Sequence, residues 1–210
     1  YNTALYHKST IQRMAGHFRQ LLDSIVKNPS NKIGALPMLT PAEEQDILVK
    51  FNDTLTYYPV EKTLVDIFEE QVEKTPDAIA MRQHEKTMTF GELNEKANRL
   101  AHYLVENGAK PADNIGIIAA RGFDMIIGMY GIMKAGGAYV PIDPDYPIDR
   151  QEYILQNSAA IKVIADGDYP LQDLVPAGKF VKINTLDLSN YATENPGIKI
   201  DSTQLAYTIY

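Results

Sequence analysis

The sequence predicts an α/β fold with a largely parallel sheet, and three features carry that prediction. Short apolar runs of strand length recur at Ile115 to Ala120, Ala138 to Ile142 and Ile161 to Ala165. Helical patterns separate them, over Phe123 to Lys134 and Asp149 to Gln156. Strands alternating with helices of this length read as crossover units whose sheet is covered on both faces.

The elements follow in chain order. Ile11, Met14, Ala15, Phe18, Leu21, Leu22 and Ile25 keep the three-and-four spacing of one helical stripe, with Ser9 or Thr10 as cap and Pro29 beyond the end. Only eight residues precede Ser9, too few to give this helix a core, so it reads as the tail of a preceding domain or as an arm. Asn28 to Lys62 is rich in Pro, Asn, Ser and Thr, which marks a linker. Inside it Thr40, Pro41 and Glu43 form a helix start, and Ile47, Leu48 and Phe51 give that short helix a sticky side. Thr63 opens the next helix, with Leu64, Ile67, Phe68 and Val72 on one face and Pro76 at its close. Ala78 to Met81 and Thr87 to Phe90 flank the polar turn His84-Glu85-Lys86 as a hairpin. Glu92 to Asn107 is a helix facing inward through Leu93, Ala97, Leu100, Ala101, Leu104 and Val105, and Gly108 takes the left-handed cap. After the alternating region come a strand at Phe180 to Ile183 and a last one at Leu205 to Tyr210. In open α/β sheets ligands sit beyond the carboxyl ends of strands, so the expected site begins there.

Composition narrows the chemistry. Hydrophobic residues at 45% allow a packed core. Twenty Lys and Arg against 27 Asp and Glu give a net charge of -7, which removes the positive field that nucleic acid binding needs. The absence of cysteine excludes disulfides, thiol nucleophiles and thiolate metal sites, and makes a cytoplasmic setting the default expectation. The opening residues lack the pattern of a secretory signal, and the apolar run Met125 to Met133 is too short to span a bilayer, so no membrane association is expected.

Several residues invite chemical readings. Asp143, Asp145 and Asp149 follow a predicted strand and suit a metal or acid–base pair, but a proline-stiffened turn with Asp149 capping the next helix accounts for them without a ligand. Lys134, Gly136 and Gly137 combine a cation with a glycine pair; because the glycines follow a helix, they offer carbonyls instead of N–H groups, and helix termination is the favoured role. No GxGxxG or GxxxxGK[ST] loop occurs. His7, His17, His84 and His102 share no metal-ligand spacing and read as surface residues. Gly122, Gly128 and Gly131 read as close helix packing, and Tyr57, Tyr58, Tyr207 and Tyr210 as packing aromatics in preference to base-stacking ones.

The motifs resemble one family. MTFGELNEKANRLAHYL, residues 88 to 104, resembles the first core motif of nonribosomal peptide synthetase adenylation domains, with Met88 where Leu is usual and Phe90 where Tyr is. MKAGGAYVPIDPDYPIDR, residues 133 to 150, is similar to the second, and LAYTIY, residues 205 to 210, to the opening of the third. The first 30 residues resemble the end of a condensation domain, and IGALPMLTPAEEQDILVKFNDT the linker that joins condensation to adenylation. The resemblance implies a condensation tail at 1–28, a linker at 29–62, and the N-terminal portion of an adenylate-forming core at 63–210, cut before the phosphate-binding loop. It also implies ATP-dependent activation of an amino acid to an aminoacyl adenylate, with Mg2+ as cofactor, and loading onto the phosphopantetheine thiol of a carrier-protein domain, as in antibiotic biosynthesis. The phosphate loop, the ribose-binding Asp and the catalytic Lys would lie beyond Tyr210, and the paired histidines of the condensation domain upstream. No catalytic, cofactor-binding or metal residue is therefore assigned here, and the 210 residues alone are expected to be inactive. Other expectations are a non-catalytic scaffold or complementing half, another acyl-adenylate ligase, and an exposed sheet edge near Tyr210 that invites self-association.

Overall fold

A computed structural model describes all 210 residues, which divide into two compact units, Tyr1–Tyr58 and Pro59–Tyr210. In the first, helix α1 spans Lys8–Lys27 and α2 spans Pro41–Leu48. Ser9 and Thr10 lie inside the first turn of α1, so neither caps it; the N-cap is His7, whose side chain makes no capping bond. Thr40 does cap α2 as expected, in a reciprocal box: Glu43 N–H donates to Thr40 Oγ1 at 3.3 Å, and Thr40 N–H donates to Glu43 Oε2 at 2.9 Å. The His17 ring donates to Glu43 Oε1 at 2.8 Å and ties the two helices together. The expected apolar stripe splits. His17, Gln20 and Ser24 face inward, while Met14, Phe18, Leu22 and Ile25 are exposed, as are Ile47, Leu48 and Phe51.

The second unit opens with α3, Leu64–Lys74, capped by Thr63 in a box with Asp66. Its buried face is Val65 and Phe68; Leu64 and Ile67 turn to solvent, a rotation of the predicted stripe by one residue. Strands β1, Ile79–Gln83, and β2, Lys86–Thr89, make the expected antiparallel hairpin. Helix α4, Phe90–Glu106, begins two residues earlier than its hydrophobic pattern, because Thr89 and Glu92 supply a third capping box. It ends at Gly108, which adopts φ 90 while Ala109 N–H reaches back to Leu104 O at 2.9 Å.

A four-stranded parallel sheet comes next. Its strands are β3, Asn114–Ile118; β4, Ala138–Ile142; β5, Lys162–Ala165; and β6, Phe180–Lys182, in the spatial order β4-β3-β5-β6. Helix α5, Phe123–Lys134, joins β3 to β4, and α6, Ile148–Asn157, joins β4 to β5. Both faces are covered. Ile115, Ile117, Ile164 and Val181 pack with Leu93, Leu100, Leu104, Ile127 and Ile132 of α4 and α5. Ile118, Val140, Ile142, Val163 and Ala165 pack with Ile154 of α6 and Leu171. Helix α5 approaches its neighbours closely where it lacks side chains: Gly131 lies against Leu100 of α4, and Gly128 against Ile117 of β3.

The strand expected at Leu205 to Tyr210 does not form. Tyr139 N–H donates to Ala206 O at 3.1 Å and Thr208 N–H donates to Tyr139 O at 3.0 Å, a single parallel bridge between Tyr139 and Tyr207. Along that edge of β4 the next residue whose N–H would face the segment is Pro141, which has none, so the ladder stops after one rung.

Candidate functional site

A crevice of about 560 Å³ opens at the carboxyl ends of β3 and β4. Ala119, Ala120 and Arg121 form one wall, Asp143, Pro144 and Asp145 another, and Ile209 with Tyr210 a third. Ile117, Met125 and Ile142 give it an apolar floor. The strand order explains its place: the chain runs from β3 outward to β4, then crosses back over β3 to β5, so the loops after these strands diverge. The β3–β5 side of that divergence is closed, because Ala120 N–H donates to Asp166 Oδ2 at 2.9 Å. The opening therefore lies over β4.

The residues singled out by sequence fall in different places. Asp143 and Asp145 line the crevice, and Asp143 Oδ1 accepts the Asp145 N–H at 2.9 Å, which is turn chemistry. Asp149 does not cap α6; it sits in the first turn, behind the N-cap Pro147. Gly136, at φ 81, and Gly137, whose N–H reaches Ile132 O at 3.0 Å, end α5. The four histidines stay apart: His7 and His84 are exposed, His17 bonds Glu43, and the half-buried His102 donates to Glu194 O at 3.0 Å. Tyr207 stacks obliquely on Tyr139 at 5.5 Å, and Tyr210 meets Tyr153 edge-on while its hydroxyl donates to Asn157 Oδ1 at 2.8 Å. Tyr57 and Tyr58 are exposed, against the expectation of packing.

Magnesium binds best to a near-octahedral set of oxygens. No three Asp, Glu or His side chains converge anywhere in the chain, and one oxygen of Asp143 is already engaged by the turn. The crevice sets one guanidinium, Arg121, against two carboxylates, so its side chains offer no net positive charge to a triphosphate. These residues thus fit neither the ion nor the phosphates, and serve as walls and floor.

Sequence reasoning missed the role of Lys134. Its side chain is wholly buried, ion-paired to Glu69, 3.1 Å from Asn195 Oδ1 and 5.7 Å from the centre of the Phe68 ring. Burial lowers its pKa, and the bond to Glu69 acts in the opposite sense. Asn195 Oδ1 also accepts from Asn94 at 3.2 Å and from buried Asn98 at 3.0 Å. Together these contacts clasp the segment around Asn195 onto α3, α4 and α5. The only local signal is a lysine that ends the apolar run Met125 to Met133.

Comparison with known proteins agrees with this architecture. The family described as AMP-binding enzyme matches residues 68–210, and the one described as condensation domain matches residues 1–48. Among similar curated proteins are tyrocidine synthase 3 of Brevibacillus parabrevis, 42% identical, gramicidin S synthase 2 of Brevibacillus brevis, 40% identical, and bacitracin synthase 2 of Bacillus licheniformis, 41% identical, each aligned over 100% of this chain. The chain spans 3%, 5% and 8% of their respective lengths. Crystal structures of the nonribosomal peptide synthetase FmoA3 superpose at 26% identity. The AMPPNP-bound form gives a TM-score of 0.76 over 98% of this chain and 22% of that one. The α-methyl-L-serine-AMP-bound form gives 0.76 over 100% and 24%.

Proposed function

Because this chain belongs to the AMP-binding enzyme family, we propose that it is part of a nonribosomal peptide synthetase module that activates an amino acid with ATP. In this reading residues 1–28 close a condensation domain, 29–62 link it to the adenylation domain, and 63–210 build the N-terminal part of the latter. The observation that carries the reading is the crevice at the carboxyl ends of β3 and β4, in a unit whose family binds AMP. An amino-acid carboxylate attacks the α-phosphate of ATP and the bond to pyrophosphate breaks; a carrier-domain phosphopantetheine thiol then gives up its proton and takes the aminoacyl group as AMP leaves. Magnesium, when bound, offsets phosphate charge; this chain's residues supply no ligand set for it. Their part is to shape the crevice, with Ile117, Met125 and Ile142 keeping its floor dry. Neutralising the triphosphate requires groups outside these 210 residues. The condensation match over residues 1–48 favours an amino acid over other carboxylic acids as the substrate.

The test is amino-acid-dependent exchange of labelled pyrophosphate into ATP, run on the 210-residue chain and on the full-length protein in which it occurs. Exchange by the longer protein alone is the expected outcome. Turnover by the chain alone above a no-protein control overturns the division of labour, and exchange driven only by acids without an amino group overturns the substrate class.

A further inference from the structure

Residues 119–121 leave β3 as one wall of the crevice, and side chains from two distant parts of the chain grip that wall by its backbone. Asp166, immediately after β5, accepts the Ala120 N–H at Oδ2, 2.9 Å away. Its other oxygen, Oδ1, accepts the Tyr169 hydroxyl at 2.6 Å. Burial, and then the bond to Asp166, push the Tyr169 phenol up to about 12, so the hydroxyl keeps its proton and remains a donor. From the opposite side Gln83, the last residue of β1, donates Nε2–H to the Arg121 carbonyl at 3.2 Å. Its amide also occupies the space beside Gly122, where an added Cβ would stand 3.1 and 3.2 Å from it.

Neither grip is needed to close the sheet, since β3 and β5 are already paired as far as Ile118 and Ala165. What the grips fix is the path of the chain between the end of β3 and the start of α5. That path decides where Ala119, Ala120 and Arg121, the crevice's one cationic side chain, stand. A carboxylate accepting from a backbone N–H is a charge-assisted bond, stronger than a neutral one, and a tyrosine holding its second oxygen fixes its rotamer.

We propose that Asp166, steadied by Tyr169, and Gln83 are positioning residues: they set the Ala119–Arg121 wall against which the reacting groups are oriented in the crevice. The inference rests on the reading of the crevice as part of an adenylation site. Sequence alone hides it, because the partners lie 46 and 38 positions apart.

The experiment compares Asp166→Ala, Asp166→Asn, Tyr169→Phe and Gln83→Ala in the full-length protein, by steady-state pyrophosphate exchange and by thermal unfolding. Displacing a supporting wall by an ångström can lower a rate by as much as ~10²-fold, so Asp166→Ala is expected to reduce kcat per folded enzyme about ten- to a hundredfold. Asp166→Asn keeps an acceptor for the Ala120 N–H and recovers most of that loss. Tyr169→Phe and Gln83→Ala fall severalfold, with small changes in unfolding midpoint. A purely structural role shifts unfolding while leaving kcat and KM of the folded fraction untouched, and that result overturns the proposal. If Asp166→Ala fails to fold, the two milder variants decide: both at wild-type kcat and KM also overturn it. A wild-type protein with no exchange for any amino acid overturns the functional reading itself, which separates the two failures.

Discussion

Removing the Glu69 carboxylate strands a cation that the fold has already buried. Lys134 exposes none of its side chain, whereas the side chain of Glu69 is 24% exposed. Breaking a buried pair from one side typically costs ~3–5 kcal/mol, and because water reaches Glu69 the lower end applies, about 3 kcal/mol for Glu69→Ala. With ~2–4 °C lost per kcal/mol in a domain of this size, its unfolding midpoint should fall by about 6–12 °C. The reverse substitution behaves differently. Lys134→Met keeps the apolar stem and leaves a carboxylate that water can solvate, and Asn195 Oδ1 retains its bonds from Asn94 and Asn98. It should cost about 1 kcal/mol or less, and adding it to Glu69→Ala should recover most of the lost stability. The pH dependence has a definite sign. Burial holds the Lys134 pKa below its ordinary 10.5, so between the two values the unfolded chain binds more protons and stability rises with pH. Glu69→Ala deepens the depression, so the alkaline gain grows and begins at lower pH. Differential scanning calorimetry of the three variants from neutral pH to ~10 measures all of this. If Lys134→Met proves the more damaging change, or the double variant simply sums the two, the reasoning is wrong.

Four further outcomes rest on local geometry. In Gly131→Ala the new Cβ would lie 2.6, 2.8 and 3.0 Å from Cδ2, Cγ and Cβ of Leu100. Overpacking of ~1–3 kcal/mol exceeds the helix-propensity gain of ~1, so its melting point should fall, and a rise would contradict the packing. Gly128→Ala meets mainly the terminal Cδ1 of Ile117, which can swing aside, and thermal denaturation should find it the milder of the two. Thr63→Ala removes the α3 cap and should lower stability by about 1 kcal/mol in urea titration, with Thr63→Asp close to wild type. Glu43, held to about 2 first by the Thr40 N–H, then by the Thr40 hydroxyl and His17, contributes its cap fully above the usual carboxylate range and loses it as pH falls through about 2. Carboxyl NMR titration reads that midpoint directly, and one near the ordinary glutamate value of ~4 would refute the capping geometry.

What the sequence made legible was whatever depends on neighbours in the chain. Helix α5 and strand β4 have the bounds their apolar patterns predict, Phe123–Lys134 and Ala138–Ile142. The Thr40 and Thr63 caps stand where a hydroxyl three residues before an acid announces them. Motif order sufficed to identify the family. Errors arose where a second element decides. On α3 Phe68 faces inward as its pattern predicts and stacks on Tyr130 at 4.0 Å, but Val65 joins it in place of Leu64 and Ile67, and Leu205 to Tyr210, strand-like in pattern, makes one bridge because the facing edge of β4 carries Pro141.

The 210 residues by themselves determined most of the helices and strands, Leu205 to Tyr210 excepted, because periodicity and capping act over a few positions. Only the tertiary structure decided that Lys134 is a buried clasp instead of the surface end of a helix, and that Asp166 and Gln83 grip the crevice wall. Their partners lie 65, 46 and 38 positions away, and the energy of burying a charge or fixing a loop depends on groups that the folded chain alone brings within bonding distance.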